Sequence, residues 1–161
     1  MRPCQLVRTP TMLPFETRPV QWTRNGYTVS TDRSQLDLDG VHRYLDQDAY
    51  WLEGMERGLL ERAIANSLPF GLYSPDEKLA GFARLITDGA TFAYLRDVFV
   101  LPEHRGRGLG VWLSECVCAH PDLRDVSNWM LTTYDAHALY AKLGFAPHSQ
   151  AHNIMQRRPN S

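Results

Sequence analysis

Residues 94–120 read Y-L-R-D-V-F-V-L-P-E-H-R-G-R-G-L-G-V-W-L-S-E-C-V-C-A-H, and this stretch constrains the fold more than any other. Residues 91–101 are aromatic and β-branched with little helical period, which predicts a largely buried strand halted by Pro102. Arg105, Gly106, Arg107, Gly108, Leu109 and Gly110 follow. Glycine at every second position frees the backbone for positive φ and for close approach by another group. Leu109, Trp112, Leu113, Cys116 and Val117 then recur at i, i+3, i+4, i+7 and i+8, the apolar stripe of a helix that Pro121 ends.

Strand, glycine turn and helix make an anion site, because the first backbone N–H groups of a helix lack intrahelical partners and carry partial positive charge. The pattern excludes two nucleotide sites. A P-loop needs G-x-x-x-x-G-K-[ST], and no such lysine and hydroxyl stand here. A dinucleotide G-x-G-x-x-G using Gly106 and Gly108 needs glycine where Val111 stands.

The pattern that does fit is R-x-x-G-x-G, carried by Arg105, Gly108 and Gly110 just past Val98, Val100 and Pro102. Downstream, Ala136, Leu139, Tyr140, Gly144 and Phe145 complete A-x-x-L-Y-x-x-x-G-F. With both motifs in this order, the chain resembles the GNAT superfamily of acyl-CoA-dependent N-acetyltransferases over residues 27–158. The resemblance implies an α/β fold of the α+β type: a central mixed, mostly antiparallel sheet, splayed between two strands and flanked by about four helices. It implies acetyl-CoA as co-substrate and no metal. The pyrophosphate would lie on the loop of residues 105–110 and the pantetheine arm in the splay, along the backbone of Phe99 and Val100, with Thr133 and Ala136 nearby. Many members carry Asn where Thr133 stands.

Elsewhere the chain is unexceptional. At 161 residues and a net charge of −1, it is expected to form one domain able to bury a proper core and has no basic excess for a nucleic-acid backbone. No run approaches the roughly 18 apolar residues of a membrane span, and Pro3, Pro10, Pro14 and Pro19 interrupt any leader, so a cytoplasmic protein is expected. Cys4, Cys116 and Cys118 form no zinc pattern. Cys116 falls on the apolar stripe and reads as core.

Residues 1–24 are proline-spaced and predict an extended or disordered arm, with the N-acetyltransferase domain over residues 25–161. A strand at residues 27–31, a helix around Leu38, Val41 and Leu45, and a second helix over residues 55–66 come next. Strands follow at residues 70–73 and 79–87. Asp88-Gly89 predicts a hairpin into residues 91–101. Residues 129–132 predict another strand, and Asp135 an N-cap for the Tyr140 helix, with Gly144 its left-handed stop. Phe145 and residues 153–156 are expected to close the sheet.

For the chemistry, the resemblance makes Tyr140 the donor of a proton to the departing sulfur, the alternative being a core tyrosine. Asp97, a carboxylate on an apolar strand, reads as a base, as an anchor for the acceptor's ammonium, or as the salt-bridge partner of Arg84 or Arg96. Tyr50 and Trp51 would either stack the acceptor or lid the core. His137 would shape the acceptor pocket or stay exposed. The leading reading is transfer of an acetyl group to a primary amine, that of a small molecule, by direct attack in a ternary complex. A catalytically silent acyl-CoA sensor or scaffold and a protein N-acetyltransferase are the alternatives, and a homodimer is compatible with all three.

Overall fold

The computed structural model describes residues 18–49 and 54–158; Tyr50, Trp51 and Cys4 lie outside them. Six strands form one sheet in chain order: β1 (Gln21–Arg24), β2 (Tyr27–Ser30), β3 (Leu68–Tyr73), β4 (Leu79–Thr87), β5 (Phe92–Val100) and β6 (Asn128–Leu131). The first five pair antiparallel, while β5 and β6 are parallel. Helices α1 (Leu38–Gln47), α2 (Arg57–Ala65), α3 (Leu109–Cys118) and α4 (His137–Ala141) complete the expected mixed architecture. Among the described residues no helix is long and apolar enough to cross a membrane.

Local chemistry accounts for most boundaries. The Asp37 side chain accepts from the Gly40 amide at 2.9 Å and caps α1. Asp88 Oδ2 accepts from the Thr91 hydroxyl and Oδ1 from the amides of Ala90, Thr91 and Phe92, which turns β4 into β5 and holds the carboxyl well below the usual range. Gly144, at φ +86°, ends α4 as expected. Sequence reading stopped the arm at Arg24, yet Gln21–Arg24 pairs with β2. The signal was present: Asn25-Gly26 sits between the strands with both residues at positive φ, as a two-residue hairpin turn requires.

The two faces of the sheet carry separate cores. Phe70, Leu72, Leu85 and Leu95 pack with Leu113, Cys116 and Val117 of α3, which bears out the core reading of Cys116; burial pushes its thiol up to about 12. On the other face Phe82 and Phe99 meet Val41, Leu45, Leu60 and Ile64 of α1 and α2.

Two irregularities position the site. Arg84 opposes Arg96 while Phe82 opposes Phe99, so Asp97 and Val98 together face Ala83: a β-bulge with Asp97 at φ +53°. Parallel pairing ends at Leu95 with Leu131, although β5 continues for five residues more. From Arg96 onward the edge of β5 that faced β6 has no strand partner among the described residues, which is the expected splay. Closure of the sheet by residues 153–156 is not observed. Ala151–Asn153 is a 3-10 turn, and Gln156 and Arg158 line the gap beyond β6 instead of pairing along it.

His120 ties the amino-terminal strand to the core. Its buried ring lies between Trp22 of β1 and Phe70 of β3, and its Nδ1 accepts from the Asp122 amide. Burial pulls its pKa below the ordinary value near 6.5. The unfolded chain therefore binds this proton at a higher pH than the folded chain does, and stability falls as pH drops through about 6.5 toward the folded value. Urea midpoints at about pH 7.5 and about 5.5 should fall farther apart in the native sequence than in His120→Gln. Equal pH dependence in both would remove His120 from this account.

Candidate functional site

The splay between β5 and β6 is a cleft of about 320 Å³. Tyr94, Arg96, Asp97 and Val98 line one side; Leu131, Thr132, Thr133 and Ala136 line the other, with Tyr140 also at its wall. Tyr94 and Thr132 join hydroxyl to hydroxyl at 2.6 Å, fixing the point where the strands part. Leu101 donates its amide to Ala80 on β4 at 2.8 Å. By strand alternation the Phe99 amide also faces β4, whereas the Val100 amide faces the open edge. Of the two backbone donors expected at the slot, Val100 is thus the one turned into it.

Beyond Val100 a 3-10 turn, Pro102–His104, is tied to β2 by a 3.0 Å hydrogen bond between His104 Nδ1 and the Tyr27 hydroxyl. The glycine loop follows. Gly106 and Gly108 lie at φ +73° and +72°, and Gly108 caps α3 with no side-chain bond to its first amides. A Cβ built on either glycine would meet no atom within 4 Å, so the loop presents bare backbone to open space. This is the cradle an anion at a helix N-terminus requires.

The remaining loop residues divide by role. Arg105, though exposed, reaches back: its Nε donates to Val100 O at 2.9 Å and its Nη2 to the Tyr44 hydroxyl at 3.0 Å, so it braces the loop against β5 and α1. Tyr44 in turn stacks on Phe99 with centroids 4.0 Å apart. Arg107 is exposed, whereas Leu109 points into the core. A Cβ on Gly110 would stand 3.3 Å from Leu139 Cδ1, so its smallness sets the approach of α3 to α4.

Tyr140 is 8% exposed, its ring edge-on to Phe145 at 5.9 Å. Burial, followed by the nearby charge of Asp135, pushes its hydroxyl up to about 12. Tyr140 nonetheless lines the slot. Thr133 Oγ1 accepts from the Ala136 amide at 3.0 Å; Ala136 itself stands at the N-cap of α4, without a side-chain cap bond, so Asp135 does not cap the helix as expected. His137 is exposed and lines a second cleft behind α4 rather than the slot.

Asp97 meets its basic neighbour. Arg84 Nε donates to Asp97 Oδ2 at 2.6 Å, with side-chain exposures of 7% and 1%, and Arg96 Nε lies 4.0 Å from Oδ1. One carboxylate thus sits between two guanidinium groups, one buried and one exposed. Sequence reading missed Tyr94, Thr132, Gln156 and Arg158 as slot residues. Only the fold brings the carboxy-terminal segment over the end of β6, and no motif marks the other two.

A family model described as an acetyltransferase (GNAT) domain matches residues 69–147. A candidate acetyltransferase from Gibberella zeae is 37% identical, the match covering 78% of this chain and 82% of that protein. The crystal structure of a candidate GNAT-family acetyltransferase from Xanthomonas campestris pv. campestris superimposes with a TM-score of 0.78 at 49% identity, covering 82% of this chain and 92% of that one. Glucosamine-6-phosphate N-acetyltransferase from Arabidopsis thaliana shares the fold, with a TM-score of 0.58 at 12% identity over 84% of this chain and 99% of that one.

The buried pair yields a double-mutant test. Removing one partner strands a charge in the core at a cost of about 3 to 5 kcal/mol, while removing both leaves none. Arg84→Met and Asp97→Asn should each lower the denaturation midpoint, and the double variant should lose less than the two losses added. Strict additivity would show that the pair contributes nothing.

Proposed function

The chain belongs to the GNAT acetyltransferase family, and on that premise we propose that it transfers an acetyl group from acetyl-CoA to the primary amine of a small molecule by direct attack in a ternary complex. The observation that carries this reading is the slot where β5 and β6 part, with Tyr140 at its wall, together with the bare glycine backbone at the N-terminus of α3 a few residues beyond the end of β5. Bound acetyl-CoA supplies the thioester.

The amides at the start of α3, with exposed Arg107, offer the pyrophosphate its donors, and Gly106 and Gly108 leave room for its approach. The Val100 amide is placed to donate to the thioester oxygen as negative charge develops there. Tyr140 is the proton donor to sulfur. With its phenol pushed up to about 12 and a thiol near 8.5, free transfer is uphill by roughly 5 kcal/mol, so the hydroxyl acts as an oriented hydrogen bond whose proton is replaced from the attacking nitrogen. The proton that the amine loses balances the one that the thiol gains.

An ammonium with pKa near 10.4 is neutral in about one molecule in a few thousand at pH 7, so a route for its proton is needed. Asp97 reads best as the charge that fixes the bulge: its carboxylate is enclosed and held by Arg84, and the open slot lets water take the proton. A silent acyl-CoA sensor would need the glycine loop and not the Tyr140 hydroxyl.

Tyr140→Phe removes the donor and little packing. Its kcat should fall by about 10² to 10⁴, as for loss of a general acid, with acetyl-CoA affinity nearly unchanged. Thiol release across a panel of small amines and peptide amino termini reads this directly. A phenylalanine variant as fast as the native protein would remove the acid role, and an inert native protein that binds acetyl-CoA would favour the sensor. Gly108→Val adds a branched side chain at positive φ where the backbone must approach phosphate. Its acetyl-CoA affinity by calorimetry should drop about tenfold or more. Unchanged affinity in a folded variant would place the pyrophosphate elsewhere.

A further inference from the structure

The slot holds a positive charge that neither the bulge nor the thioester uses. Arg96, Asp97, Asp135 and Arg158 line it, and Arg84 stands behind Asp97. Arg84 takes the Asp97 carboxylate at 2.6 Å, whereas Arg96 stays 4.0 Å from it with 45% of its side chain exposed. Arginines thus outnumber carboxylates in this group, and the excess positive charge reaches the cleft on Arg96. Cleft walls of low dielectric concentrate the field of such a charge.

Strand alternation fixes the face on which Arg96 stands. Ala93 and Leu95 turn into the core under α3, so Tyr94 and Arg96 lie on the opposite face, the one that carries α1 and α2. The amides offered to the pyrophosphate belong to α3. Arg96 is therefore across the sheet from the coenzyme's phosphates, on the side from which a second substrate can reach the slot.

An amine whose only charge is its ammonium would add to the excess. A carboxylate or phosphate on the same molecule cancels it, because a guanidinium fork pairs two of its N–H groups with two oxygens. Gln156 and Arg158 lie on the same wall, and the exposed ring of Tyr134 gives the connecting carbons an apolar surface. We propose that the slot selects an acceptor whose amine shares a small molecule with a carboxylate or phosphate, and that Arg96 binds this anion. The word acceptor rests on the acetyl-transfer reading; the preference for an anion is read by binding alone.

Matched amines test it: β-alanine against propylamine, γ-aminobutyrate against butylamine, free phenylalanine against phenethylamine, and phosphoethanolamine against ethanolamine. Amide shifts in an NMR titration of the full chain follow binding, and thiol release with acetyl-CoA follows turnover. In at least one pair the anionic member should bind about tenfold more tightly or better, as for a charge-assisted pair, and should show the larger kcat/KM. The pair with the largest ratio tells carboxylate from phosphate. Arg96→Gln should bring that ratio close to unity, chiefly through KM, while Arg96→Lys keeps part of it. Added salt should shrink the native ratio, which reads the charge even if Arg96→Gln fails to fold. No binding in any pair, equal binding within every pair, or an anion preference that survives both Arg96→Gln and salt would overturn the proposal. A preference that depends on Arg96, with no thiol release from any amine, would uphold the anion site and remove acetyl transfer.

Discussion

A carboxylate taken almost wholly out of water, at the point where a strand loses its neighbour, is sustained only by an opposite charge held with it. Arg84 supplies that charge from the adjacent strand. The pair spans the bulge and holds Asp97 in a backbone conformation that a non-glycine residue seldom adopts. The bulge turns the end of β5 away from β6, and that divergence opens the slot. Without the ion pair, β5 would have reason to run straight on as a regular strand, and the space between the strands would narrow.

The glycine loop depends on the same strand end from the other side. β5 delivers the chain into the Pro102–His104 turn, which Tyr27 holds through His104, while Arg105 reaches back to Val100 and to Tyr44. Phe99 beneath Tyr44 belongs to the core of the α1 and α2 face, whereas Leu109 belongs to the core of the α3 face. The loop is therefore clamped between two cores that do not touch through the sheet. Its glycines can remain bare because neighbouring side chains supply the rigidity.

Much of this was legible in the sequence, because the information was local. Apolar and β-branched runs marked β4 and β5, apolar period marked α3, and Asp88-Gly89 and Gly144 marked a turn and a stop whose backbone demands few residues meet. The strand at Gln21–Arg24 was also written, in Asn25-Gly26, but the prolines before it outweighed a four-residue run with one tryptophan. Other features were not local. Whether Asp97 faced solvent, substrate or Arg84 depended on a register shift between strands, which leaves no mark in either strand's own pattern. Asp135 looked like a cap by residue type, yet the helix begins one residue later, with Ala136 at its N-cap. Phe145 and residues 153–156 were expected to close the sheet, but pairing needs an edge within reach, and the chain passes over the slot instead.

Gly110 sets how near α3 can come to α4, through Leu139. Leu139 is the residue before Tyr140, so the helix that offers its first amides to an anion and the helix that carries the phenol meet side chain to backbone. A displacement of the start of α3 is passed to Tyr140 within a single van der Waals contact. The two helices are therefore not independent supports: the spacing of one fixes the seat of the other, and a single added methyl group at Gly110 would be felt at both.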